Sequence, residues 1–422
     1  MNPLNSKMKN KNKLIVFDLF SGCGGLSKGL EQAGFDIQWA NEIWQPAIDS
    51  YKRNHSRVKI FTENAREVLA KILNKDKLYP SRGDVDIVTG GPPCQGFSGW
   101  NRHRSPDDPR NTLVDVYFDI VACLQPAVAV MENVTGILSL DNGKALHSIM
   151  AGFKDIKYWA EVFIVQAGGY GLAQNRWRVL LVACRGDNNK PFFLEPFHCF
   201  PRTVTFNATK FRDKILKPHF PGEMLSGIAL RNLNVRDAIG DLPPIKNGDK
   251  GADDLKYSDE RTIQNYLFGD APIKDHECIK LADLNMQRVL ALPHNSGKSW
   301  VHLPDKLKPR NLSKGGKLSY DNRFGRLMWD GIFNTMVTKP DPYWGRYIHP
   351  NQDRVLSVRE CARVQGFPDN FSFEGKLREK YMQIGNAVPP PLGKALGWSM
   401  RSILGDYGWQ SALDDYRNAF SA

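Results

Sequence analysis

Four short segments hold residue types that chemistry needs. In Gly90-Gly91-Pro92-Pro93-Cys94-Gln95-Gly96-Phe97-Ser98 a thiol follows a turn stiffened by two prolines. An isolated cysteine is more often a small buried hydrophobe than a nucleophile, yet a Gly-Gly-Pro-Pro turn is no place for a core residue. Met131-Glu132-Asn133-Val134 ends an apolar run in a carboxylate, and Gln174-Asn175-Arg176-Trp177-Arg178 sets two arginines at i and i+2, on one face of an extended segment. Such arginines can hold a carbonyl oxygen or a phosphate, lower a thiol pKa, or form a surface ion pair. Phe20-Ser21-Gly22-Cys23-Gly24-Gly25-Leu26 is a glycine turn opening a helix, with Glu42 about 20 residues on. Glycines there admit a ligand to the backbone, and the acid can bind ribose hydroxyls. The turn does not match GxGxxG, which favours a mononucleoside such as S-adenosylmethionine over a dinucleotide. A thiol and a carboxyl beside a nucleoside pocket fit one chemistry well. Cytosine C5 becomes nucleophilic once a thiolate adds to C6, and a carboxyl that protonates or hydrogen-bonds N3 makes that addition feasible.

These residues need a scaffold that brings them to one edge. Apolar runs at 14–20, 37–41, 85–90 and 126–132 alternate with amphipathic stretches at 26–34, 45–53, 111–124 and 143–153, and two further runs follow at 161–166 and 178–184. Strand and helix in alternation predict an α/β domain over 14–189 with a mostly parallel sheet, whose carboxyl ends carry the ligand site. Residues 190–350 lose this periodicity to Pro, Gly, Asn and charge, which predicts a second, loop-rich domain. Helical patterning returns from 351 in LSVRECARVQGF and PPPLGKALGWSMRSIL, so residues 351–422 are expected to fold back onto the first domain. The tail 1–13, with four lysines and no acid, is expected to be flexible.

The chain has 422 residues, a net charge of +12 and seven cysteines without a CxxC pair. The cysteine pattern predicts reduced thiols rather than a disulfide framework or zinc knuckle. No stretch approaches the roughly 18 apolar residues of a membrane span, and the N-terminus lacks a signal peptide's apolar core. The positive charge suggests a polyanionic partner. It is concentrated between Lys298 and Arg326, where eight Lys/Arg face two Asp, with Trp300 and Tyr320 among them. That mixture suits backbone contact plus stacking, and it equally describes a solvated loop.

Taken together, the segments at 18–35, 90–99, 131–134, 174–178, 359–369 and 383–397 resemble the DNA cytosine-5 methyltransferase family, in the family's order and across nearly the whole chain. Residues 235–248 and 325–369 look most like the catalytic domain of eukaryotic maintenance-type enzymes. The resemblance implies a Rossmann-like S-adenosylmethionine-dependent methyltransferase domain plus a smaller target-recognition domain. It implies Cys94 as nucleophile at C6, Glu132 at N3, and Arg176 and Arg178 assisting in the base pocket. Ser21, Gly22, Gly24, Gly25, Leu26, Glu42, Ile43, Asn64, Ala65, Pro92, Asn386 and Val388 would bind S-adenosylmethionine. Asn64 stands where such enzymes usually carry an aspartate, so its amide oxygen would have to accept from the adenine. Residues 95–111 would close over DNA. Gln95, Ser98, Trp100 and Arg102 there, with Lys298, Trp300 and Arg323 in the recognition domain, are the expected DNA contacts.

Double-stranded DNA is therefore the expected partner of a monomer acting at CG sites on a flipped-out cytosine, with further proteins recruiting it. Neither a membrane nor a metal is expected, and His276-Glu277-Cys278 is read as packing rather than zinc binding. No regulatory module is expected ahead of residue 14. A nuclear location follows if the source is eukaryotic, a bacterial cytoplasm otherwise. Two alternatives stand beside this reading: a tRNA cytosine-5 methyltransferase, and a catalytically silent DNA-binding protein of the same fold.

Overall fold

The structure is a computed structural model that describes residues 13–93, 113–186, 189–201, 209–217, 229–251, 255–257, 261–312, 320–339 and 341–420. The chain divides into two compact units. The first comprises residues up to Tyr170, Trp177–Leu230 and Val388–Ala422, and the second Gly171–Arg176 and Arg231–Ala387.

The first unit is built on β1 (Ile15–Leu19), α1 (Gly25–Gln32), β2 (Asp36–Asn41), α2 (Gln45–Asn54), β3 (Lys59–Phe61), α3 (Ala65–Leu73), β4 (Ile87–Gly90), α4 (Leu113–Leu124), β5 (Val128–Val134), α5 (Lys144–Asp155), β6 (Tyr158–Gln166), β7 (Trp177–Arg185) and β8 (Ile215–Leu216). These strands form one sheet in the order β3-β2-β1-β4-β5-β7-β6-β8. Strands β3 through β5 run parallel, whereas β7 is antiparallel to both β5 and β6. The sheet is thus mostly parallel, with an antiparallel pair inserted where the apolar runs at 161–166 and 178–184 continue it. Val128–Met131 and Trp177–Cys184 are buried throughout, as strands covered on both faces must be.

Side-chain alternation assigns the faces. Phe17 and Leu19 of β1 point into a core shared with Val68, Tyr117, Ile120 and Phe153 of α3, α4 and α5. Asp18, between them, points the other way and meets Ser27 of α1. On that second face α1 packs against α11 (Pro390–Ile403), which is followed by α12 (Trp409–Ala419). The approach is close because the contact is made by glycines. A Cβ on Gly29 would stand 2.2 Å from the Pro390 carbonyl oxygen, and one on Gly397 would stand 2.4 Å from the Ala33 Cβ.

The second unit carries α6 (Val235–Ile239), α7 (Thr262–Phe268), α8 (Asp283–Leu290), α9 (Val358–Val364) and α10 (Leu377–Asn386), joined by long irregular segments. With so little sheet, it is tied by buried guanidinium groups. Arg354 clasps Glu360 through two 2.7 Å bonds, and Arg363 bridges Asp369 and Asp241. The segment 351–387 belongs to this unit, so it is Val388, not residue 351, that begins the return to the first unit. The reason is local: α9 supplies Glu360 and Arg363 to the polar interior, whereas α11 supplies the glycines that fit α1.

Candidate functional site

Register places the site. Leu19 of β1 pairs with Asn41 of β2 and with Gly90 of β4, and Gly90 pairs with Met131 of β5. Glu42, Gly91 and Glu132 each follow one residue past that row, so Glu42 and Gly91 leave the sheet at its carboxyl edge while Glu132, still paired with β7, lies level with them near the end of β5. This is where an open α/β sheet binds ligands.

After β1 the chain turns through three left-handed residues, Phe20 (φ 55°), Gly22 (φ 56°) and Gly24 (φ 95°), before α1 begins. The turn is pinned to β2 from two sides. Ser21 N–H donates to the Asn41 carbonyl at 3.0 Å, and Gly22 N–H donates to Glu42 Oε2 at 2.9 Å. Glu42 Oε1 accepts from Ile43 and Trp44 N–H at 2.9 and 2.8 Å. The two glycines do different work. A Cβ on Gly22 would meet nothing within 4 Å, whereas one on Gly24 would collide with His55 Nε2 at 2.4 Å. Gly22 therefore borders open space, and Gly24 makes room for a neighbour. Gly25 and Leu26 are buried at the start of α1. Ile43 is 63% exposed, an apolar side chain standing in the open beside Glu42.

Asp18, in the middle of the apolar run that forms β1, lies buried behind this turn and accepts from Ser27 Oγ and Thr89 Oγ1. Burial pushes its carboxyl up to about 6, against the pull of those two hydroxyls. The sequence signal for it was an acid inside an apolar strand, which the glycine turn beside it overshadowed. Burial also pushes the Cys23 thiol up to about 12, so the cysteine of the glycine turn is not a nucleophile at neutral pH. Asn64 caps α3, its Oδ1 accepting from Arg66 N–H at 3.0 Å. The amide oxygen expected to face an adenine thus already holds a helix terminus. Ala65 is buried behind it.

On the other side of the sheet centre, Glu132 and Arg178 form an ion pair with Arg178 Nε at 2.8 Å from Glu132 Oε1. Register accounts for it: Glu132 pairs with Leu180, and Arg178 is two residues along the antiparallel neighbour, hence diagonal on the same face. Burial pulls the Arg178 guanidinium down, and the Glu132 charge opposes this. A Cβ on Gly91 would lie 3.4 Å from Glu132 Oε2. The turn that leads through buried Pro92 to Cys94 therefore starts against this carboxylate. Cys94, Gln95, Ser98, Trp100 and Arg102 lie outside the described residues.

Several expected site residues have other work. Arg176 is fully buried and donates to the carbonyls of Met336, Gly385 and Ala387 at 2.9–3.1 Å, so it clamps backbone within the second unit rather than presenting its fork to a base. Asn386 ends α10, exposed, in the same unit; half-buried Val388 opens the segment that returns to the first. Trp300 is only 6% exposed, sits in an apolar core with Leu281, Leu303 and Phe324, and donates through Nε1 to the Tyr320 carbonyl at 2.9 Å. It offers no stacking face to a base. Arg323 is equally buried, its guanidinium carbon 4.3 Å from the Tyr320 ring centre and 4.4 Å from that of Tyr343. Arg326 is spent on Asp353 and three carbonyls. The positive segment is therefore less of a surface patch than its composition suggests, because two of its arginines are internal. Lys298 is exposed. His276 has both ring nitrogens on protein partners, Ser357 Oγ and the Pro243 carbonyl.

The arrangement at the sheet edge provides a rigid turn with a neighbouring carboxylate on one side, and a carboxylate held by an arginine beside a Pro-Pro turn on the other. The family model of C-5 cytosine-specific DNA methylases matches residues 14–402. The chain is 33% identical to DNA (cytosine-5)-methyltransferase 4 of Arabidopsis thaliana over 94% of its own length and 29% of that protein. It is 34% identical to DNA (cytosine-5)-methyltransferase 1 of Gallus gallus, over 93% of its length and 30% of the relative. It thus spans under a third of these relatives. A solved structure assigned as a prophage-encoded DNA modification methyltransferase (E. coli) matches with a TM-score of 0.65 and 25% identity, covering 93% of this chain and all of the other.

Proposed function

The chain belongs to the C-5 cytosine-specific DNA methylase family, and we propose on that premise that it transfers a methyl group from S-adenosylmethionine to C5 of a flipped-out cytosine in DNA, at CG sites. The observation that carries the reading furthest is the Glu132–Arg178 pair with Gly91 against it. It supports a carboxylate held in one orientation beside the turn bearing Cys94.

The residues around the glycine turn fit the cofactor. A carboxylate has about four acceptor positions, and Glu42 uses three on backbone N–H groups, which leaves one for a ribose hydroxyl. Gly22 opens on space that a side chain would fill, and exposed Ile43 gains by being covered with a flat apolar group. S-adenosylmethionine bound there supplies an electrophilic methyl group. Cys94, as thiolate, forms a bond to C6, and the electron pair displaced toward N3 is met by a proton or hydrogen bond from Glu132. The enamine so formed, with its double bond between C4 and C5, is nucleophilic at C5. After C5 is methylated a solvent base takes its proton, the C5–C6 double bond re-forms as the thiolate departs, and the N3 proton returns to Glu132. Arg178 positions Glu132 throughout. Residues of the second unit are proposed to contact the target, since Lys298 is exposed there.

The test is tritiated methyl transfer to unmethylated duplex, hemimethylated CG duplex and tRNA. Transfer to DNA that vanishes in Cys94→Ala is expected. Transfer confined to tRNA would replace the substrate, and cofactor binding without any transfer would favour a silent DNA-binding protein.

A further inference from the structure

Within the second unit, most buried arginines are held by several protein acceptors. Arg176, Arg326, Arg354, Arg359 and Arg363 each reach at least two carbonyl or carboxylate acceptors. Arg346 differs, as does Arg323, whose guanidinium faces the Tyr320 and Tyr343 rings instead. Arg346 is half-buried, its Nε is inaccessible to water, and among the described residues none of its N–H groups meets an acceptor. Asp321 is near enough to be felt but forms no ion pair with it, and burial holds the guanidinium below its usual pKa. A half-desolvated charge without a partner among the described residues is costly, so a further acceptor would be favoured.

The side chain is nevertheless held in place. Its stem crosses Gly325, where a Cβ would come within 2.7 Å of Arg346 Cγ. Beside its head runs the turn 293–298: a Cβ on Gly297 would stand 3.6 Å from Nη1 and 2.9 Å from Met328 Sδ. That turn is itself fixed, with Asn295 Oδ1 accepting from Trp329 N–H at 2.7 Å and Asn295 N–H donating to the Pro350 carbonyl at 2.8 Å. Gly297 is left-handed (φ 64°), and exposed Lys298 follows it directly. Two glycines thus border a guanidinium fork whose stem is packed, and the exposed Lys298 directly follows one of them in the chain.

We propose that Arg346, with Lys298 beside it, is a phosphate-binding site for the DNA backbone. The proposal rests on the reading that DNA is the substrate. A planar fork suits a phosphodiester oxygen pair, and an ammonium nearby suits the same or the adjoining phosphate. The contact carries no base information, so it sets register and orientation of the duplex rather than target sequence.

The full chain is titrated with a short fluorescent CG duplex by anisotropy over a series of salt concentrations, for wild type, R346Q, R346K and K298Q. Each phosphate contact contributes about 0.9 to the slope of log affinity against log salt. R346Q is expected to weaken binding several-fold for CG and non-CG duplexes alike and to lower the slope by about 0.9, with a melting temperature no lower than wild type because no hydrogen bond among the described residues is lost. R346K keeps the charge and should retain most of the slope. A steep wild-type slope that R346Q leaves intact would overturn the site while leaving DNA as substrate. Wild-type binding without salt dependence would overturn both.

Discussion

Glu42 shows how a single residue can serve fold and ligand together. Its carboxylate accepts from Gly22, Ile43 and Trp44 N–H, so it fixes the glycine turn to the end of β2 while keeping one acceptor position free. In Glu42→Gln one carboxylate oxygen becomes an NH2 that faces backbone donors. Hydrogen bonds to charged groups contribute about 1.5–3 kcal/mol each. S-adenosylmethionine affinity is therefore expected to fall by at least about tenfold, read by calorimetric titration; equal affinity in the variant would remove Glu42 from the cofactor site. The spacing of this residue from the turn was legible in the sequence. The burial of Trp300 and Arg323 was not, because a mixture of rings and cations has the same composition whether it faces solvent or packs on itself.

At the scale of elements, the contact of α1 with α11 sets local propensity against packing. Alanine is intrinsically the better helix residue by about 1 kcal/mol, so Gly29→Ala would stabilise an isolated helix. Here the new Cβ would stand 2.2 Å from a backbone carbonyl oxygen, which cannot swing aside as a side chain can. Overpacking costs typically about 1–3 kcal/mol, so the variant is expected to unfold at lower urea concentration than wild type, and a higher midpoint would show that the helices can separate cheaply. The strand and helix alternation of the first unit was readable because β1, β2, β4 and β5 carry apolar runs. Strand β3 was not: it has three residues at the sheet edge and begins with exposed Lys59. Helix α3 follows this short strand, so no apolar run precedes it in the alternation.

For the molecule as a whole, stability depends on charges taken out of water. Burial alone would raise the Glu360 carboxyl, but Arg354 outweighs it and holds the group well below the usual carboxylate range. A depressed folded-state pKa means that the unfolded chain binds the proton first. The stabilisation is therefore complete above the unfolded value, near 4.5, and is lost as pH falls below it. Removing one partner of a buried pair costs about 3–5 kcal/mol, so Glu360→Gln should be less stable than wild type by that order at pH 7, with the gap narrowing below pH 4.5. Denaturant unfolding at pH 7 and pH 4 measures it, and a gap independent of pH would assign the loss to packing. By itself the sequence determined the α/β class and the carboxyl end of the sheet as the place of Glu42 and Glu132, since both follow from apolar periodicity and from the acid that closes each apolar run. Only tertiary structure decided which arginines are available to a ligand. Arg176, Arg326 and Arg346 look alike along the chain, and the acceptors that consume the first two come from residues up to 211 positions away.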